Sequence, residues 1–206
     1  MSKITFIGAG STVFVKNVLG DVMATPALQG FELALFDIDE ERLLDSERLL
    51  NSIKETLGST CLIKTYRDRK DALRGAKYVI NAIQVGGYDP CTITDFEIPK
   101  KYGLRQTIAD TLGIGGIFRN LRTIPVMLDF ARDMQEVCPD AWFLNYTNPM
   151  AVLTNVMNTV GGIKTVGLCH SVQHCVSDLF RSLEMDTAGV ESKIAGINHM
   201  AWLLEV

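Results

Sequence analysis

A chain of 206 residues with 47% hydrophobic and 21% charged positions can bury one substantial core of ordinary globular type. Its net charge of −4 is spread along the sequence with no Lys/Arg stripe, so neither nucleic acid nor an anionic membrane surface is the expected partner. No apolar stretch reaches the roughly 18 to 20 residues that span a bilayer, and the five cysteines form no C-x-x-C pair, which leaves a small-molecule ligand as the expected partner.

The N-terminus Met1-Ser2-Lys3 leads straight into a β-rich run over Lys3 to Gly8, not into the apolar region of a signal peptide. Together with the odd cysteine count this predicts a reducing, cytoplasmic setting. Thr12 to Met23 reads as a helix with Phe14, Val18 and Val22 on its apolar face. Phe31 to Ile38 is a second strand ending at Asp37, and Asp39 to Leu57 an amphipathic helix closed by Gly58. Cys61 to Tyr66, Tyr78 to Ile83, Ala141 to Tyr146 and Thr165 to Leu168 are further strands separated by helix-length segments. That alternation implies right-handed parallel crossovers and a Rossmann-like, doubly wound α/β sheet. Residues 85–116, rich in glycine, are expected to form active-site loops. After Gly189, residues 191–197 are extended and Met200 to Val206 is another apolar run. The expected division is a nucleotide-binding domain over 1–189 and the beginning of a second, truncated domain over 190–206.

Gly8-Ala9-Gly10-Ser11-Thr12-Val13 approximates G-x-G-x-x-G with Val13 in the last place. Gly8 would allow the turn, and Gly10 would let a pyrophosphate reach backbone N–H groups at a helix start shared by Ser11 and Thr12. A structural turn can use two glycines as well. The placement after the first strand, with Asp37 ending the second, favours a nucleotide, since that carboxylate can accept bonds from both ribose hydroxyls and repel a 2′-phosphate. NAD is therefore expected over NADP.

Asn145-Tyr146-Thr147-Asn148-Pro149 follows an apolar strand, so Pro149 could occupy a first helical turn while Asn148 faces a ligand or simply caps the helix. Cys169 ends the next strand and His199 the one after the long gap. Either could be ordinary packing, yet together at strand ends they could form a metal pair. His170 could donate a proton or belong to a first helical turn. His174 and Cys175 read as helix positions and Cys61 as packing. Asp110-Thr111-Leu112-Gly113, followed by Arg119 and Arg122, combines a carboxylate with cations, or else caps a helix whose arginines are solvated.

Taken together, Gly8-Ala9-Gly10-Ser11, Val85-Gly86-Gly87, Asp110-Thr111 with residues 113–116, Asn148-Pro149, Cys169-His170-Ser171 and Asn198-His199 resemble the NAD- and metal-dependent glycosidases of glycoside hydrolase family 4. That family is related to the lactate and malate dehydrogenases. The resemblance implies that Cys169 and His199 ligate a divalent ion, typically Mn2+, and that Asn148 contacts the sugar, with Asp110 beside it. Ligand softness alone would suggest zinc. The Cys-His-Ser sequence and residues 103–111 look most like the α-galactosidase branch. The implied reaction is glycoside hydrolysis by oxidation, elimination, addition and reduction, unlike the paired-carboxylate route. Family members are longer than this chain and carry their catalytic base in the second half. A homo-oligomer is expected. A 2-hydroxy-acid dehydrogenase on the same fold, and a binding fragment without turnover, are the alternatives.

Overall fold

The computed structural model describes residues 1–106 and 111–206; Asp110, an expected sugar contact, lies outside them. Strand β1 (Lys3–Ile7) opens the chain, and helix α1 (Thr12–Ala24) follows its turn. Strand β2 (Glu32–Phe36) leads to α2 (Glu40–Leu57), which starts where Asp39 accepts the Arg42 N–H at 3.1 Å and stops at Gly58 with φ +62°. Both helix signals are local: an acidic N-cap and a left-handed glycine. Next come β3 (Leu62–Tyr66), α3 (Arg69–Leu73) and β4 (Tyr78–Asn81).

After β4 the chain departs from the loop expected over residues 85–116. It turns irregularly through Gly87–Thr92 into α4 (Ile93–Lys101), and the long helix α5 (Gly113–Val137) begins inside the same segment. The glycines punctuate these helices: Gly86, Gly87, Gly103 and Gly113 all have positive φ. Strand β5 (Trp142–Asn145), α6 (Met150–Thr159), β6 (Thr165–Gly167) and α7 (Ser171–Ser182) complete the main body. Finally β7 (Lys193–Ile197) and β8 (Met200–Glu205) form a separate antiparallel hairpin.

The six-stranded sheet is parallel throughout, in the order β3-β2-β1-β4-β5-β6. Because β1 is central, its side chains alternate between two cores. Ile4 and Phe6 join Val15, Leu19, Leu33, Leu43 and Leu50 under α1 and α2, whereas Ile7 joins Met127, Phe130, Met134, Phe143 and Leu153 under α5 and α6. Burial of apolar surface on both faces, at about 25 cal/mol per Å2, is the main force holding the layers. The apolar face of α1 is turned from its expected centre: Val15, Leu19 and Met23 are buried, while Val18 and Val22 pack at the side and Phe14 is 39% exposed. Adjacent i, i+4 stripes are both apolar here, and the ring of Phe14 instead meets Tyr146 edge-on at 5.2 Å. Among the described residues no helix is long and apolar enough to cross a membrane.

Candidate functional site

The strand order reverses between β1 and β4, so the two crossovers leave the sheet in opposite directions and open a crevice at the carboxyl ends of the strands. Gly8 stands at its floor with φ +88°, and a Cβ there would come within 2.8 Å of the Ala82 carbonyl oxygen. Gly8 and Ala9 donate their N–H groups to Phe36 O, which ties the turn to the end of β2. One residue past β2, the Asp37 carboxylate accepts the Gly10 N–H at 2.6 Å and the Asp39 N–H at 2.9 Å. Glycine at position 10 is a condition of that approach, since a Cβ would sit 2.8 Å from Asp37 Oδ2. Ser11 is the residue before α1 and its side chain makes no capping bond, while the Thr12 N–H turns back onto Gly10 O at 3.1 Å. Each carboxylate oxygen of Asp37 retains lone-pair capacity for a further donor.

Across the reversal point a buried amide network stiffens the ends of β4 and β5. Asn81 Nδ2 donates to Asn145 Oδ1 at 3.0 Å and to Thr147 Oγ1 at 2.9 Å, and Thr147 Oγ1 donates to Ile83 O at 3.0 Å. Asn81 and Asn145 are fully buried. Sequence reading missed Asn81, because a polar residue closing an apolar strand carries no local sign of its partner 64 positions away. The network leads directly to Asn148, which is half-buried and accepts the Met150 N–H at 3.2 Å. Pro149 precedes α6 instead of forming its first turn, with ψ of 108°.

Cys169 and His199 line one cavity of about 620 Å3, together with Met150, Ser171, Asn198 and residues of the hairpin. His199 sits in the two-residue turn between β7 and β8, not at a strand end, with φ +63°, a conformation that His tolerates better than most side chains. Its Nδ1 lies 3.0 Å from Thr111 Oγ1. The Cys169 thiol receives the Ser171 N–H at 3.4 Å and lies 3.3 Å from Ser171 Oγ. Burial alone would push this thiol up, but hydrogen bonds from the Ser171 side chain and backbone, the Asn198 side chain and the His170 backbone hold it below the ordinary range. Asn198 lines the same cavity from the hairpin turn.

Cys175, expected only as a helix position, lies on α7 and also lines the cavity. His170 is exposed immediately before α7 and packs edge-on against His174 at 5.9 Å between ring centres; it is not among the cavity-lining residues. Cys61 is fully buried packing, as expected. Arg122 corrects the solvated alternative: its Nη atoms bond Asp95 at 2.7 and 3.2 Å, and its Nε donates to Val85 O at 3.1 Å. Arg119 is likewise buried.

A parallel sheet in this order, with a glycine turn after its first strand and an acidic residue after its second, defines a Rossmann-like doubly wound domain. Residues 3–185 match the family described as "Family 4 glycosyl hydrolase", and the chain belongs to that family. It is 66% identical over 206 residues to an alpha-galactosidase of Bacillus subtilis (strain 168), covering 100% of this chain and 48% of that protein. An alpha-galactosidase of Rhizobium meliloti (strain 1021) is 40% identical, with 99% and 42% covered. The crystal structure of the 6-phospho-beta glucosidase from Thermotoga maritima with manganese, NAD+ and glucose-6-phosphate superimposes with a TM-score of 0.82 at 26% identity, covering 98% of this chain and 48% of that one. The chain spans about half the length of the curated relatives it matches.

Proposed function

We propose that this chain supplies the cofactor- and metal-binding part of a glycosidase that hydrolyses α-galactosides. The observation that carries the reading is the convergence of Cys169, Asn198 and His199 on one cavity in a chain so similar to an alpha-galactosidase. Gly8 and Gly10, which carry no side chain, would let the pyrophosphate of NAD+ come close to the turn, Ser11 and Thr12 would face it through their hydroxyls at the start of α1, and Asp37 would take its adenosine ribose.

The donor set fits a divalent ion. One donor is a thiol biased toward its thiolate, and the other an imidazole whose Nδ1 is engaged by Thr111, which directs Nε2 outward as the ligand atom. Mn2+ is the preferred identity, in keeping with the Thermotoga maritima relative. Held by the Gly8–Gly10 turn and Asp37, NAD+ would supply reversible hydride acceptance at C3 of the sugar, and an ion held by Cys169 and His199 would supply the polarisation that makes the C2 proton removable, so that elimination of the aglycone, water addition and hydride return would sum to hydrolysis.

This chain's own residues bind and orient. Asn148 commits its Oδ1 to Met150 and keeps its amide N–H groups for a sugar hydroxyl, with Asp110 as a second sugar contact on sequence grounds. The Asn81–Asn145–Thr147 network holds that corner still beneath the substrate. His170 is the proton donor proposed for the departing aglycone on its sequence position beside Cys169 alone, since its ring packs on His174 and does not line the cavity. The test is hydrolysis of an aryl α-galactoside by a polypeptide of the relatives' length that carries this chain. Activity that requires NAD+, Mn2+ and a thiol reductant together supports the reading, and activity undiminished after rigorous removal of NAD+ refutes it. Net accumulation of NADH from malate or lactate would instead favour the dehydrogenase alternative.

A further inference from the structure

We propose that Arg122 is a positioning residue which, braced by Asp95, sets the backbone of the Val85–Gly86–Gly87 turn for the nicotinamide half of the cofactor. The proposal rests on the reading that the crevice takes NAD+. A dinucleotide lying across the β1/β4 reversal has its adenosine half over β1 and β2, where Gly10 and Asp37 meet, and its nicotinamide half against the ends of β4 and β5. Val85, Gly86 and Gly87 leave the sheet beyond β4, on that second side.

This turn is held from beneath. Arg122 Nε donates to Val85 O at 3.1 Å while its two Nη atoms grip Asp95 at 2.7 and 3.2 Å. Asp95 is 2% exposed, so its charge is tolerable only because the guanidinium faces it in the two-pronged geometry that suits a carboxylate. A buried ion pair of this sort is weak as a source of stability and strong as a device for fixing geometry. Here it fixes a peptide plane. In a trans peptide the C=O and the following N–H point in opposite directions, so turning the Val85 carbonyl toward the α4–α5 interface turns the Gly86 N–H away from it. Gly86 is exposed and has φ +84°; a Cβ there would lie 2.4 Å from Cys91 Sγ and 3.2 Å from Arg122 Cδ. The far side of the turn is tied as well: Gln84 Nε2 donates to Thr92 Oγ1 at 2.9 Å, and that hydroxyl lies 3.4 Å from Gly87 O. The result is an exposed glycine peptide, pre-oriented as a donor to an oxygen of the nicotinamide riboside.

The experiment is calorimetric titration of the 206-residue chain with NAD+ and, separately, with ADP, which lacks the nicotinamide riboside. Arg122→Lys keeps a cation opposite Asp95 but lacks the Nε–H that reaches Val85, and it carries the test if Arg122→Met does not fold. Arg122→Lys and Asp95→Asn should each weaken NAD+ about tenfold, the worth of one hydrogen bond, and leave ADP within about twofold. A loss shared equally by NAD+ and ADP would mean a general structural role and overturn the proposal, as would an unchanged affinity for both. Failure of the wild-type chain to bind NAD+ at all would overturn the cofactor reading itself, and the proposal with it.

Discussion

Replacing Asp37 separates its bonds within the turn from the part proposed for it in choosing the cofactor. Asp37→Ala strands the Gly10 N–H, now bonded at 2.6 Å in a buried turn, and the Asp39 N–H, bonded at 2.9 Å in an exposed one. Water replaces the second partner at little cost, but an unsatisfied buried donor costs about 1 to 3 kcal/mol. In a domain of this size each kcal/mol moves Tm by roughly 2 to 4 °C, so Asp37→Ala should melt about 2 to 12 °C below the wild type. Asp37→Asn keeps one oxygen for Gly10 and should lose far less. Both variants remove the negative charge that a 2′-phosphate would meet. Two unit charges about 4 Å apart repel by about 1 kcal/mol in water and about 4 kcal/mol at a protein surface, so the wild type should prefer NAD+ over NADP+ by about five- to about a thousandfold. Asp37→Asn should therefore retain near-native Tm by calorimetry while losing most of that preference by titration. Equal wild-type affinity for the two nucleotides, or a preference that survives in Asp37→Asn, would refute the reasoning.

Three other outcomes are expected. Cys169→Ser and His199→Ala should each abolish stoichiometric Mn2+ binding while NAD+ affinity and Tm stay close to native, because both side chains line a cavity outside the two cores; metal binding should also weaken in acid as protons compete for thiolate and imidazole. Asn81→Ala, read by denaturant unfolding, should cost about 1 to 3 kcal/mol, since it removes the donor shared by Asn145 and Thr147 and leaves Asn145 Oδ1 only the Thr147 N–H; a cost well below 1 kcal/mol would show the network to be dispensable. At the amino end of β2, burial opposes ionisation of Glu32, but hydrogen bonds from Tyr66 and Lys64 and the charge of Lys3 outweigh it and depress the carboxyl, while burial and Glu32 together push Tyr66 up to about 12. A depressed carboxyl contributes stability that is present above its unfolded value and lost as pH falls through the folded one, whereas the raised phenol contributes stability that is lost as pH rises from its ordinary value toward 12. Tm of Glu32→Gln should accordingly show a weaker decline than the wild type at both acid and strongly alkaline pH.

Local signals in the sequence were sufficient where the physics is local. Gly8, Gly10 and Asp37 announce a turn because a strand, two glycines and an acidic strand end recur at short spacing, and Asp39 and Gly58 bound α2 for the same reason. The segment after β4 differs from the expected loop because glycines at positive φ, such as Gly103 just past α4 and Gly113 at the start of α5, mark where helices end or begin as readily as where loops run. Cys169 and His199 stood out by residue type and by family likeness, but their meeting in one cavity depends on a hairpin folding back through Asn198, which no periodicity encodes. Asn81 and Arg122 were illegible as partners for a related reason: their bonds to Asn145 and Asp95 exist only once separate elements pack together.

The central claim is that hydrolysis proceeds through removal of the C2 proton, and the most direct measurement is the fate of that proton. An aryl α-galactoside hydrolysed in D2O by a polypeptide of the relatives' length carrying this chain, with NAD+ and Mn2+, should yield galactose deuterated at C2, detected by NMR or mass spectrometry. Ordinary acid/base glycosidases never break that bond. Galactose released at full rate with its C2 hydrogen wholly retained would contradict the account.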